Sequence, residues 1–301
     1  MFRPALALIA LACPVSAQSL RQAILDYEAG RLEKAGQTLA AIVRDKPDSF
    51  EAHFYLGLVY FRRGRLPEAR PPLERAVKLS PGNAPAWKTL GLVIADSGDL
   101  SGAVPPLTRA CRLAPQDQDA CYYLARYLYA QGRYDAALEP FEKALAAAPE
   151  ELLSKVHRAA ALNFEALGRP RDAERDFREA VSLNRRNGPP NEDPRIDYGA
   201  FLLRQGRAPE ALRPLEQAAG ELSSSSRASL ELGRVLLELG RPEAAAARLE
   251  RAVGLDSGNW AACLLLGTAY LRLGRAEEGE REMRLGQAGW ARQHSDSSIV
   301  K

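Results

Sequence analysis

The sequence predicts an all-α fold, a solenoid of about eight helix-turn-helix repeats. Two observations predict it: a glycine recurs at nearly constant intervals, and the apolar residues on both sides of each glycine follow helical spacing. The intervals are 34, 34, 34, 36, 38, 34 and 34 residues, between Gly30, Gly64, Gly98, Gly132, Gly168, Gly206, Gly240 and Gly274. A period of this length indicates an array in which each repeat buries its apolar face against its neighbours.

Each repeat contains two helical segments. In the third repeat, Leu90 and Ile94 share one face of a first helix, and Ala103 and Leu107 share one face of a second. Gly98 separates the two segments, and a proline after the second helix ends the repeat, because proline cannot continue a helix.

Small residues recur at one position of the first helix. Where two helices cross closely, the side chain at the contact must shrink to Gly or Ala, and larger residues fill the adjacent space. This position is held by Gly57, Gly91, Ala125, Gly199, Gly233 and Gly267.

The pattern W-x2-L-G-x2-Y, A-x3-F, P resembles that of the tetratricopeptide repeat (TPR) family. Its first part stands in the second, third, fourth and eighth repeats as His53-Leu56-Gly57-Tyr60, Trp87-Leu90-Gly91-Ile94, Cys121-Leu124-Ala125-Leu128 and Cys263-Leu266-Gly267-Tyr270. The resemblance covers nearly all of residues 18–292. It implies a right-handed superhelix of helical hairpins, whose first helices line a concave groove used to bind proteins or peptides.

The predicted organisation is a signal peptide over residues 1–17, a repeat array over 18–292 and a tail over 293–301. The repeats are predicted at about 18–49, 50–83, 84–117, 118–151, 154–187, 192–225, 226–259 and 260–292. Extra residues at 149–153 and 187–194 predict longer turns on either side of the fifth repeat, and the second insertion is the predicted boundary between two rigid halves. Ser226 is expected to be a helix N-cap.

The first residues have the composition of a secretory signal. A short basic start, Met1–Pro4, precedes the apolar run Ala5–Ala12 and a small-residue site that ends at Ala17. This predicts an exported protein, periplasmic or secreted. Two alternatives stay open: a terminal helix of the array, and a lipid attached at Cys13. No segment approaches the roughly 20 apolar residues of a transmembrane helix, so no membrane span is predicted.

Three cysteines follow the predicted cleavage site: Cys111, Cys121 and Cys263. Cys111 and Cys121 are ten residues apart, across a junction where consecutive helices should touch, so a disulfide is one interpretation. The other is that they are small apolar core residues, as free cysteines usually are.

Composition argues against several function classes. The chain has 41 Lys and Arg against 38 Asp and Glu, without a basic cluster, so no nucleic acid partner is predicted. His53, His157 and His294 lack metal-binding spacing, and no phosphate-binding loop or nucleophile elbow occurs. We therefore predict no metal, no cofactor, no small-molecule substrate and no enzyme activity.

The resemblance places relative positions 2, 5, 9 and 12 of each first helix on the concave wall. The residues predicted to contact a partner are Phe54, Leu58, Phe61, Lys88, Leu92, Tyr122, Arg126, Tyr129 and Arg158. The wall is aromatic in its first half, and an apolar patch rimmed by Lys and Arg marks an interaction site. Alternatively, the rings only pack between adjacent helices, and the arginines belong to an ordinary solvated face.

The predicted function is therefore non-catalytic binding of a partner polypeptide, as an extended or helical segment in the groove. The alternative is a structural or assembly factor of an envelope complex that acts through self-association or its convex face.

Overall fold

The computed structural model describes residues 14–184 and 192–296, which form sixteen α-helices and no strand. The helices are α1 (Pro14–Glu28), α2 (Leu32–Asp45), α3 (Phe50–Arg62), α4 (Leu66–Leu79), α5 (Ala84–Asp96), α6 (Leu100–Leu113), α7 (Gln118–Ala130), α8 (Tyr134–Ala147), α9 (Glu150–Ala166), α10 (Pro170–Ser182), α11 (Pro194–Arg204), α12 (Ala208–Glu221), α13 (Ser226–Glu238), α14 (Pro242–Leu255), α15 (Trp260–Arg272) and α16 (Ala276–Asp296). Most of the predicted signal peptide, residues 1–13, lies outside the described residues, as does the end of the predicted tail, 297–301.

The chain forms two compact bodies. The N-terminal half, Met1–Ala148, contains α1–α8, and the C-terminal half, Pro149–Lys301, contains α9–α16. Within each half, every helix packs against the next helix along the chain, which produces four stacked hairpins. The all-α solenoid of about eight hairpins that the sequence predicts is confirmed.

The recurring glycines form the turn inside each hairpin. All eight have a positive φ, between 67° and 92°, a conformation that residues with a Cβ rarely adopt. At Gly64, the glycine N–H donates to the Phe61 carbonyl at 2.9 Å, and the Arg65 N–H donates to the Tyr60 carbonyl at 2.9 Å. These two bonds satisfy carbonyls that the end of the first helix would otherwise leave unpaired.

The small residue of the first helix lies directly under a large residue of the second. A methyl group added at Gly57 would lie 2.5 Å from Cγ of Leu73, and one added at Gly233 would lie 2.6 Å from Cγ of Leu249. Both leucines are fully buried, so neither can move aside. The two helices of these hairpins therefore leave no room for a side chain at the glycine position.

A second recurring contact joins consecutive hairpins. The Trp87 indole N–H donates to the Pro81 carbonyl at 2.9 Å, and the His53 Nε2–H donates to the Pro47 carbonyl at 2.9 Å. In both cases, a side chain in the first turn of one hairpin binds the loop that follows the previous hairpin. The aromatic position of the repeat thus fixes the entry of the next first helix.

A disulfide joins Cys111 in α6 to Cys121 in α7, with 4.9 Å between their Cα atoms. It links the third hairpin to the fourth. Cys263 is a buried free thiol, and burial raises its pKa. The disulfide interpretation of the first two cysteines therefore holds, while Cys263 is a core residue.

The predicted boundary between the halves was wrong. The division falls after Ala148, whereas the residues that flank the second insertion belong to one half. They are tied together, since Asn184 Nδ2 donates to Asp193 Oδ2 at 2.9 Å across the insertion. Residues 187–191 of the insertion lie outside the described residues.

Two local expectations also need correction. The extra residues near Pro149 do not lengthen a turn, because Glu150–Leu153 add a first turn to α9. The N-cap of α13 is Ser225, whose side chain accepts from the Ala228 N–H, and not Ser226. The Ser226 hydroxyl instead donates to the Ala252 carbonyl of α14, the second helix of the same hairpin, at 2.9 Å.

The close helix contact predicts a strong effect of one methyl group. We expect Gly233→Ala to lower the free energy of unfolding by about 1–3 kcal/mol, because the added carbon overlaps Leu249. Gly220→Ala in α12 is the matched control: no atom lies within 4 Å of its added carbon, so we expect a change of at most about 1 kcal/mol, stabilising. Urea denaturation measures both. Equal stability of the two variants would contradict the packing argument.

Candidate protein-binding surface

The predicted contact residues lie on the first helices of the hairpins, as expected. Eight of the nine belong to the N-terminal half, on α3, α5 and α7, and Arg158 belongs to α9 of the C-terminal half.

On α3, the predicted side chains are half-buried and belong to a run of aromatic rings. Phe54 stacks on Phe50 with 5.7 Å between ring centroids and meets Tyr55 edge-on at 5.6 Å. Tyr55 in turn contacts Tyr27 of α1 at 5.6 Å. We call these four residues the α1–α3 aromatic cluster. Leu58, one helical turn after Phe54, and Phe61 are also half-buried on α3.

On α5, the two predicted residues have different surroundings. The Lys88 ammonium lies 2.7 Å from an Asp117 carboxylate oxygen. Asp117 is also the N-cap of α7, where its side chain accepts from the Ala120 N–H. The positive charge of Lys88 is therefore already compensated within the protein. Leu92 is half-buried, between the aromatic residues of α3 and α7 in chain order.

On α7, Tyr122 differs from the expectation, because its side chain is only 2% exposed. Its ring contacts Tyr123 at 5.5 Å, and the Arg126 guanidinium lies over it, 5.7 Å from the ring centroid. Arg126 is exposed, and Tyr129 is half-buried against Tyr134 at 5.5 Å. Tyr122 thus belongs to the core, and the exposed surface of α7 is made by its neighbours.

Several rings of this surface lie at positions that the sequence pattern did not predict. Tyr123 and Tyr127 are half-buried on α7, 6.1 Å apart, and Tyr27, Phe50 and Tyr55 complete the α1–α3 aromatic cluster. The family positions do not include them, although the four-residue spacing of Tyr123 and Tyr127 indicates one helical face. We call Tyr122, Tyr123 and Tyr127 the α7 aromatic cluster.

In the C-terminal half, the corresponding helices carry paired charges. Arg158 of α9 is 15% exposed, and its guanidinium lies 2.7 Å from Asp197 of α11 and 3.6 Å from Glu192. Asp197, which is buried, also pairs with Arg227 of α13. Arg204 of α11 makes a two-point contact with Glu165 of α9, at 2.7 and 2.8 Å. Arg158 therefore belongs to a group of ion pairs that connects the first helices α9, α11 and α13.

A second charged group lies at the start of α11. Arg195 contacts both carboxylate oxygens of Asp193, at 2.9 and 2.8 Å, and also Glu221 at 2.7 Å. Asp193 and Arg195 are both buried. Burial alone would raise the pKa of Asp193, but the hydrogen bonds from Arg195 outweigh it, so this pKa lies below its ordinary value.

Features that would point to other chemistry are not seen in the described residues. Within residues 14–184 and 192–296, no three His, Cys, Asp or Glu side chains converge as a potential metal site. His53 donates to the Pro47 carbonyl, and His157 pairs with Asp176 at 3.1 Å. No helix that the structure describes combines the length and apolar character needed to cross a membrane.

Family comparison accounts for this architecture. Residues 20–84, 88–151 and 158–227 match one tetratricopeptide repeat model, and residues 202–254 and 236–288 match a second. These matches cover well over half of the chain. The chain belongs to the tetratricopeptide repeat family. This TPR protein is therefore a protein-interaction module, and the family generally acts as a non-catalytic scaffold.

Solved structures with similar folds include other repeat proteins. A tetratricopeptide repeat protein from Parabacteroides merdae ATCC 43184 aligns with a TM-score of 0.59 and 18% identity, over 84% of this TPR protein and 98% of that chain. A MamA crystal structure aligns with a TM-score of 0.51 and 23% identity, over 56% of this TPR protein and 91% of that chain. A second MamA structure (MSR-1) aligns with a TM-score of 0.50 and 28% identity, over 57% of this TPR protein and 98% of that chain. No curated protein matched significantly.

The Asp193–Arg195 pair predicts a pH-dependent stability. The pKa of Asp193 is lowered in the folded protein, so its ionised carboxylate contributes to the free energy of unfolding. This contribution is present above the ordinary carboxyl pKa of about 3.9 and is lost as the pH falls through the pKa of the folded protein. Asp193→Asn retains an N-cap acceptor but removes the charge, so we expect a loss of about 3 kcal/mol at pH 7.

Urea denaturation between pH 3 and pH 7 measures this effect. The difference between wild type and Asp193→Asn should shrink as the pH falls below about 4. Asp172→Asn is the control, because Asp172 forms more exposed surface pairs with Arg169 and Arg175, and it should cost less than about 1 kcal/mol. A difference for Asp193→Asn that stays constant over this pH range would contradict the assignment.

Proposed function

We propose that this TPR protein binds a polypeptide segment of a partner along the first helices α3, α5 and α7 of its N-terminal half. The observation that carries the proposal is the α1–α3 aromatic cluster, continued by Leu58 and Phe61, whose side chains are only half-buried. When a partner covers rings and aliphatic groups that are partly exposed on one face, burial of their apolar surface contributes to the binding free energy.

The paired charges of the C-terminal half support this choice of surface. Arg158, Arg204 and Arg227 already contact carboxylates within the protein, so a partner would have to displace those contacts. Breaking such ion pairs costs desolvation and lost Coulomb energy, whereas covering a half-buried ring does not. Arg158 is therefore left out of the proposed contact set, and Tyr122 is left out because it is buried.

We further propose that the protein is exported and works in the periplasm or outside the cell. The apolar leader up to Ala17 supports this, and so does the Cys111–Cys121 disulfide, because disulfides persist in oxidising compartments.

Thiol counting tests the export proposal. The mature protein, denatured without reductant, should begin at Gln18 and react with one maleimide, at Cys263. The control is the same chain without residues 2–17, which stays in the reducing cytosol and should react with three. The protein isolated from its native compartment would contradict export if it kept its leader and if Cys111, Cys121 and Cys263 all reacted.

The binding proposal is tested by truncating two rings of α3. We expect Phe54→Ala/Phe61→Ala to weaken capture of the native partner about 30-fold or more, because each ring contributes about 1–3 kcal/mol when a partner covers it. Crosslinking in the native compartment identifies the partner, and titration of that purified partner measures the affinity.

The matched control is Leu100→Ala, which truncates an exposed apolar side chain on the second helix α6 of the same half. It should bind normally. Circular dichroism must show unchanged helical content in both variants. Wild-type affinity of a folded Phe54→Ala/Phe61→Ala variant would refute the proposed surface.

A further inference from the structure

The two aromatic clusters of the N-terminal half share one arrangement, an arginine guanidinium over a tyrosine ring. In the α1–α3 aromatic cluster, the Arg62 guanidinium lies 4.6 Å from the centroid of the Tyr27 ring. In the α7 aromatic cluster, Arg126 lies 5.7 Å from the centroid of the Tyr122 ring. Both arginines are exposed, and neither has a carboxylate partner among the described residues. The same chemistry thus occurs twice along the first helices of one compact body.

Three tyrosines of these clusters have hydroxyl groups that could bind a partner. Tyr27, Tyr55 and Tyr127 are half-buried, yet their hydroxyls form no hydrogen bond with any residue that the structure describes. Burial raises the pKa of Tyr27 and of Tyr127, so both hydroxyls keep their protons at neutral pH. A protonated tyrosine hydroxyl on a packed ring can donate a hydrogen bond as well as accept one, and a guanidinium only donates.

The surface therefore combines flat apolar rings with an excess of donors. A helical partner would satisfy its own carbonyls internally, and a β-strand would bring an unpaired N–H for each carbonyl. A proline-rich segment in the polyproline II conformation differs from both. It presents solvated carbonyls that need donors, its prolines lack N–H groups, and its rings pack on aromatic side chains.

We propose that the segment bound by the N-terminal half is extended and proline-rich, with prolines packed on the half-buried rings of the two aromatic clusters and carbonyls accepting hydrogen bonds from Tyr27, Tyr55 and Tyr127. This inference rests on the proposed function and specifies the partner chemistry of the same surface. Because polyproline II is already extended before binding, little conformational entropy is lost on association.

The test uses the full mature protein and a fluorescein-labelled decaproline peptide, with binding followed by fluorescence anisotropy. Removing the three hydroxyls in Tyr27→Phe/Tyr55→Phe/Tyr127→Phe keeps every ring, so the fold should persist. We expect the affinity to fall by about tenfold or more, since each lost hydrogen bond is worth a factor of about 2 to 10. A labelled amphipathic leucine/lysine helix should bind more weakly than decaproline.

The matched control is Tyr60→Phe. Tyr60 is a half-buried tyrosine of α3 outside both clusters, and the Arg65 guanidinium lies over its ring at 4.9 Å. This variant should bind decaproline like the wild type. Equal loss in Tyr60→Phe and in the triple variant would overturn the assignment of the three hydroxyls.

The remaining outcomes separate this inference from the proposed function. Absence of decaproline binding, or tighter binding of the amphipathic helix, overturns the proline assignment. If Phe54→Ala/Phe61→Ala nevertheless loses its native partner, the proposed surface stands and only the partner chemistry is wrong. If that variant keeps its native partner, the proposed function itself fails, together with the inference built on it.

Discussion

The structure depends on the close approach of the two helices within each hairpin. At Gly57 and Gly233, the first helix has no side chain at the contact, and a fully buried leucine of the second helix occupies the space. A close crossing fixes the separation and angle of the pair, because interlocked side chains allow little adjustment. The turn glycine of each hairpin, in its left-handed conformation, sets how the second helix returns. Hairpins that share this contact and this turn return their second helix in the same way, so repeated stacking follows from local geometry.

This repeated scaffold keeps corresponding positions of the first helices in corresponding places, whatever residues occupy them. Phe54 of the N-terminal half lies at the same repeat position as Arg158 in the C-terminal half. Around Phe54, ring packing leaves apolar area partly uncovered, whereas around Arg158 the charges of α9, α11 and α13 neutralise one another. Uncovered apolar area favours association with a partner, while satisfied ion pairs favour internal rigidity. One fold therefore supports two different surfaces.

The connections between hairpins use several kinds of bond for one purpose. His53 and Trp87 donate to proline carbonyls, Cys121 forms a disulfide with Cys111, and Asp193 and Arg195 form a buried ion pair near an insertion. The bonds of His53, Trp87 and Cys121 join the beginning of a first helix to the loop or the second helix before it. The buried pair at the start of α11 instead continues through Arg195 to Glu221, in the second helix of the same hairpin. Stacking energy in a repeat protein is a sum of neighbouring contacts, so such joints matter more than in a globular domain.

The sequence alone determined the helices, the turns and the hairpin contacts, because these arise between residues within one 34-residue period. The positive-φ glycines and the pairing of Gly57 with Leu73 follow directly from the repeating pattern. The assignment of the candidate surface to the first helices also followed, since helical periodicity and the family pattern specify a face.

Only the tertiary structure decided which members of that face are accessible. Tyr122 is covered, Lys88 and Arg158 have carboxylate partners, and Cys111 is bonded to Cys121. It also placed the division of the chain after Ala148, whereas Asn184 and Asp193, which are hydrogen-bonded to each other, belong to one body. Exposure and pairing of a side chain depend on neighbours from other repeats, and the spacing within one repeat carries no information about them.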